Sequence, residues 1–136
     1  MGKAICLDTG VIILHYSDDE PKKIATLMQQ IKQGKIHAKI LAPIYVEAYT
    51  KWSQKLNQDY AQITLASFKS KYPIEVIPID DDIIFKAGQL KCNYCRKLSY
   101  NDCMLIALAL NRKLVLHTTE KDLPKIPNLK VQVYQF

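Results

Sequence analysis

The sequence predicts an α/β domain: a parallel sheet of four to five short strands with helices packed on both of its faces. Two observations predict it. Short apolar runs alternate along the chain with longer segments whose apolar residues recur at helical spacing, the pattern of strand–helix–strand units. No repeat, low-complexity tract or long linker divides the 136 residues, a length sufficient for one domain with a real core.

In order, Lys3 to Leu7 reads as a buried strand ending at Asp8, and Thr9 to Tyr16 as a helix that the SDDEP stretch breaks. Glu20 to Gln33 carries Ile24, Leu27, Met28 and Ile31 at i, i+3, i+4 and i+7, an amphipathic helix with Gly34 as its stop. Lys39 to Ala42 is a second strand. Pro43 suits the first turn of the helix that follows, whose stripe is Ile44, Ala48, Trp52 and Leu56. A further helix covers Tyr60 to Lys71. Ile74 to Ile79 is a third strand, punctuated by Pro73 and Pro78. Asp80 to Lys91 is a helix whose three leading aspartates favour its dipole. Ser99 to Asn111 is the clearest helix of all. Leu114 to Leu116 and Lys130 to Tyr134 complete the sheet.

Composition narrows the function classes. With 49% hydrophobic and 24% charged residues the chain reads as soluble and globular, and no apolar stretch approaches the roughly 18 residues of a membrane span. The N-terminus lacks a signal-peptide pattern, and Lys3 and Cys6 argue against myristoylation of Gly2, so the expected location is the cytoplasm and no membrane partner is expected. The net charge of +6 points to a polyanion such as nucleic acid as readily as to a solvated lysine surface. Cys6 and Cys103 fall in apolar runs as small core residues. Cys92 and Cys95 form a lone CxxC, too few ligands for a closed zinc site.

The chemistry lies in isolated carboxylates that punctuate the most apolar segments: Asp8, Glu47, Asp102, and Glu120 or Asp122. In a parallel sheet the site lies at the carboxyl ends of the strands. Asp8 follows the first strand, Glu120 trails the fourth, and Glu47 and Asp102 fall in first turns of helices, so all can meet at one edge. Two carboxylates about 5 Å apart repel by roughly 3 kcal/mol at an effective dielectric near 20. Such a cluster must take up protons or hold a cation, and oxygen ligands suit Mg²⁺ or Mn²⁺. Each acid also has a plain structural reading. Asp8 can cap the helix at Thr9, Ser99 and Asp102 form a capping box, Glu47 can be a surface residue, and Glu120 and Asp122 can be dipole acids. His117 ends a strand near this edge and reads as a packing residue; Tyr45, Tyr49 and Trp52 read as core rather than as stacking surfaces for bases.

Four segments together resemble the PIN-domain family and, within it, the VapC-like toxins. They are Leu7-Asp8-Thr9, Val46-Glu47, Leu98-Ser99-Tyr100-Asn101-Asp102 ahead of an apolar helix, and Leu116-His117-Thr118-Thr119-Glu120-Lys121-Asp122-Leu123. Gly10, Glu120 and Leu123 depart from the family pattern, the last two standing where Asp and Phe are usual.

The resemblance implies a three-layer α/β/α fold and an Mg²⁺- or Mn²⁺-dependent endoribonuclease. Asp8, Glu47 and Asp102, with Glu120 or Asp122, would be its metal ligands. Charge and position, rather than the resemblance, suggest Thr118 and Thr9 to orient ligands or water and Lys51, Arg96, Lys97 and Lys121 at the rim to grip the RNA backbone. The resemblance also implies a homodimer and, for a toxin, a small antitoxin partner. The alternatives are a PIN-like RNA-binding or scaffold protein without catalysis and, on the Asp8-Thr9-Gly10 triplet alone, an aspartic protease. Only four glycines and long helical patterns speak against the protease.

Overall fold

The computed structural model describes residues 3–135. The architecture follows the strand–helix alternation. β1 (Lys3–Leu7), β2 (Ile36–Leu41), β3 (Glu75–Ile77), β4 (Val115–Thr118) and β5 (Val131–Val133) form one sheet in the order β3-β2-β1-β4-β5, parallel throughout. Six helices flank it: α1 (Thr9–His15), α2 (Lys22–Lys32), α3 (Ala42–Lys55), α4 (Gln58–Lys71), α5 (Asp81–Asn93) and α6 (Tyr100–Arg112). β1 lies in the centre because Ile5, Cys6 and Leu7 are all fully buried and can be covered on both faces. The chain winds outward through β2 and β3 on one side of β1, then returns through β4 and β5 on the other. The sheet therefore has a switch point between β1 and β4, and the crevice outside their carboxyl ends is where such folds bind ligands.

Helix boundaries have local causes. Asp80 accepts from the Ile83 N–H at 2.9 Å and Asn57 from the Tyr60 N–H at 2.8 Å, starting α5 and α4. Gly34, at φ +77°, stops the chain after α2, and Lys113 closes α6 in the left-handed region at φ 55°. The four apolar residues of the α2 stripe, Ile24, Leu27, Met28 and Ile31, are all buried. Trp52 and Phe68 are the largest fully buried side chains; Tyr45 is also core and Tyr49 packs against it.

Some expected bounds shift, the helix starts for local reasons and the strand limits through pairing with distant strands. α2 starts at Lys22, because Pro21 is extended at its N-cap. β2 begins at Ile36, three residues early, because Ile36 to Lys39 pair with Lys3 to Cys6. β4 continues to Thr118, drawn on by pairing with β5 as far as Val133. β3 is shorter than expected, spanning only Glu75–Ile77 beside β2. α4 starts at Gln58, not Tyr60, on its Asn57 cap. Leu56 does not join the α3 stripe: the helix ends at Lys55, and Leu56 adopts φ −128°, ψ −79° and is 62% exposed. Among the described residues no helix is long and apolar enough to cross a membrane.

Candidate active site

Asp8 and Thr118 stand at the ends of β1 and β4, on either side of the switch point. The Asp8 N–H donates to the His117 carbonyl at 2.9 Å, tying the end of β1 to β4. One Asp8 carboxylate oxygen accepts from the Thr9 N–H and the other from the Thr118 hydroxyl, both at 2.7 Å. Thr118 is fully buried, and its hydroxyl also accepts from the Glu120 N–H at 3.0 Å. Asp8 is thus the cap of α1 and, through Thr118, a link between the ends of β1 and β4.

The electrostatics show which other acids are near. Burial raises the Asp8 carboxyl above the usual carboxylate range, the Thr118 and Thr9 bonds pull it back, and the Asp102 and Glu47 charges push it up further. Asp8, Asp102 and Glu47, far apart in sequence, therefore share one neighbourhood. Asp102 sits at the third position of α6 in a reciprocal capping box: Ser99 Oγ accepts from its N–H at 3.1 Å, and its Oδ2 accepts from the Ser99 N–H at 3.2 Å. Most of α6 is buried, from Cys103 to Ala109, which sets this helix start against the body of the protein. Glu47, one turn into α3, is half-buried; it accepts from Asn101 Nδ2 at 3.1 Å and faces Lys51 Nζ at 3.7 Å.

Asn101 is the residue that sequence reasoning missed. It was legible only as a spacer before Asp102, yet the first turn of α6 presents both, one to Glu47 and one to Asp8. Glu120 and Asp122 lie just past β4, the Glu120 N–H bonded to the same Thr118 hydroxyl that holds Asp8. Both are exposed, and neither side chain bonds or ion-pairs to the three acids. The Glu120 side chain instead lines a groove with Lys121, Leu123 and Pro124. Of the expected rim cations, Lys51 adjoins Glu47, while Arg96, Lys97 and Lys121 are exposed. His117 is a packing residue bonded to Tyr134 Oη at 2.7 Å. All four cysteines are free, Cys6 and Cys103 buried, Cys92 and Cys95 exposed.

Gly10 has a steric cause. A Cβ there would lie 2.0 Å from Thr119 Oγ1 and 3.1 Å from Thr119 Cβ, so the start of α1 can approach the end of β4 only without a side chain.

The donors suit a hard divalent cation, being carboxylate and hydroxyl oxygens throughout. Thr9 Oγ1 adds a specific sign of fit: it is buried beside Asp8 and has no hydrogen-bond partner. Among the described residues no three acids, histidines or cysteines converge closely enough to form a finished metal cage.

Fold and site together define an α/β domain in which the Asp102 and Glu47 charges act on Asp8 at the switch point of the sheet. The PIN domain family model matches residues 5–129, and the chain belongs to that family. No curated protein matches the sequence. Among solved structures it is similar to VapBC2 from Rickettsia felis, solved bound to a promoter DNA fragment: 20% identity, 97% of this chain and 99% of that one, TM-score 0.77. It is similar to a toxin–antitoxin complex from Klebsiella pneumoniae, at 20% identity, 97% and 99% coverage and TM-score 0.69. It is also similar to Mycobacterium tuberculosis VapC20, a sarcin–ricin loop cleaving toxin, at 12% identity, 82% and 86% coverage and TM-score 0.65. These likenesses establish the shared fold.

Proposed function

We propose that this protein is a divalent-metal-dependent endoribonuclease, the toxin of a toxin–antitoxin pair, acting in the cytoplasm. The observation that carries the reading is the Asp8 carboxyl, raised chiefly by burial and further by the Asp102 and Glu47 charges, beside an unpartnered Thr9 hydroxyl. Like charges kept together in a crevice signal a cation site, and family membership gives the cation its use.

Asp8, Glu47 and Asp102 are the residues that would hold Mg²⁺ or Mn²⁺, with Glu120 or Asp122 as the fourth acid. Such an ion, when bound, lowers the pKa of a water and offsets charge on the scissile phosphate. The chain's own groups do the rest. Thr118 orients the Asp8 carboxylate through its hydroxyl. Asn101 holds Glu47, leaving the other carboxylate oxygen toward Lys51. Lys51, Arg96, Lys97 and Lys121 supply positive charge for the RNA backbone around a negative pocket. The Klebsiella neighbour is a toxin–antitoxin complex and VapC20 cleaves an RNA loop; these support an antitoxin partner and an RNA substrate here. A homodimer is the assembly expected of this family.

The test is Mn²⁺-dependent cleavage of RNA by wild type and by Asp8→Asn, with thermal unfolding measured alongside. Wild type should cleave and gain Tm as Mn²⁺ rises. Asp8→Asn should fold, lose the Mn²⁺-dependent gain and lose at least 100-fold in rate. Cleavage that persists in the variant without metal would overturn the reading, and absence of both cleavage and metal response in wild type would favour a non-catalytic PIN-like scaffold.

A further inference from the structure

On the opposite face of β4 from the acids lies a second feature of opposite charge. His117 and Thr118 are consecutive in the strand and so point to opposite faces. Thr118 turns to Asp8; His117 turns into a cleft of about 410 Å³ between α2 and the sheet. Lys3, Lys22 and Lys23 line this cleft together with Gln30 and Gln132, and among the described residues no carboxylate does. None of the three lysines makes an ion pair among the described residues.

Three lysines that line one concavity and make no ion pair among the described residues favour a positive local potential there. Two of them, Lys22 and Lys23, occupy the first turn of α2, where positive charge opposes the helix dipole. That turn has no side-chain cap and no acidic residue within it. The histidine gives an independent sign. His117 is only 9% exposed; its Nδ1 is engaged by Tyr134 Oη, and its Nε2 has no hydrogen-bond partner among the described residues. When Tyr134 donates to Nδ1, Nε2 carries the proton and is a free donor on the wall of a lysine-lined cleft. An imidazole donor, ammonium groups and amides around one cleft match a phosphate ester, whose oxygens only accept.

We propose that this cleft, lined by Lys3, Lys22, Lys23 and His117, is a phosphate-binding site separate from the acidic crevice. It does not depend on the nuclease reading, since nothing in it needs the carboxylates or a metal. The phosphate can belong to a free nucleotide or to a strand of RNA, and the experiment separates these sources.

The full chain is titrated in metal-free buffer with AMP and, separately, with a 2′-O-methyl RNA hexamer, followed by amide and imidazole NMR. Saturable shifts at Lys22, Lys23, Gln132 and the His117 ring are expected, and these should persist in Asp8→Asn. AMP saturating as tightly as the hexamer identifies the nucleotide source; the hexamer binding at least tenfold tighter identifies the strand. Lys22→Gln with Lys23→Gln should weaken binding at least tenfold. Both lysines are exposed and sit against the dipole, so this variant keeps the fold. Lys69→Gln with Lys71→Gln, removing equal charge from α4, should change affinity less than twofold. Absence of saturable shifts in the cleft, or equal weakening by the two double variants, would overturn the proposal.

Discussion

The hydroxyl of Thr118 donates to the carboxylate of Asp8 at 2.7 Å although 110 residues separate them in the chain. This bond closes the switch point of the sheet from above. It joins the ends of the two strands between which the winding direction reverses, and it leaves the Asp8 carboxylate with both oxygens engaged.

Replacing Thr118 with Val removes a donor from a buried carboxylate while keeping the shape. Thr118→Val should cost about 1–3 kcal/mol in urea unfolding. It should also lower Mn²⁺ affinity and cleavage by roughly tenfold, as mutation of a ligand's hydrogen-bond partner does. Thr118→Ser retains the donor and should recover most of both.

Asn101 acts on Glu47 rather than on a substrate. Asn101→Ala should leave thermal stability within about 1 kcal/mol, because Glu47 is half-exposed and water can replace the amide. The Mn²⁺ concentration for half-maximal cleavage should rise while the rate at saturating Mn²⁺ changes little. Asn101→Asp adds another negative charge to the group and should lower apo-protein Tm, with the loss recovered by Mn²⁺.

Gly10→Ala tests the close approach of α1 to the end of β4. The added methyl meets Thr119 in both its hydroxyl and its Cβ, so rotation of the threonine alone cannot relieve the clash. Destabilisation of about 1–3 kcal/mol by chemical denaturation is expected. Thr119→Ala in the same chain should restore part of it, since the 2.0 Å contact goes but the Cβ contact at 3.1 Å stays.

His117 makes the fold sensitive to acid. Burial and then the Lys3 charge depress its pKa to about 4 from the ordinary 6.5. The unfolded chain therefore takes up a proton that the folded chain refuses between those values. Stability should fall as pH drops from about 6.5 toward 4 and flatten below, by up to about 3 kcal/mol. His117→Asn should lack this part of the decline, measured as the difference between the two urea-unfolding profiles against pH.

The α/β alternation, the α2 stripe and the three separated acids Asp8, Glu47 and Asp102 were legible in the sequence, because periodicity and isolated charge in apolar runs are local properties. The PIN resemblance was legible in the same short segments. Strand limits were not: Ile36 and Thr118 are strand residues because β1 and β5 offer partners in register, a non-local fact. Leu56 kept the helical spacing but not the helix.

The chain's local patterns thus determined which elements form and which charges they carry. Only the tertiary structure decided which of those charges meet. It brought Asp102 and Glu47 within reach of Asp8's charge, left the Glu120 and Asp122 side chains exposed, gave Asn101 a partner and set the lysine cleft on the far face of β4. The reason is geometric: the winding order of parallel strands sets which carboxyl ends are neighbours, and strand alternation sends Thr118 and His117 to opposite sides.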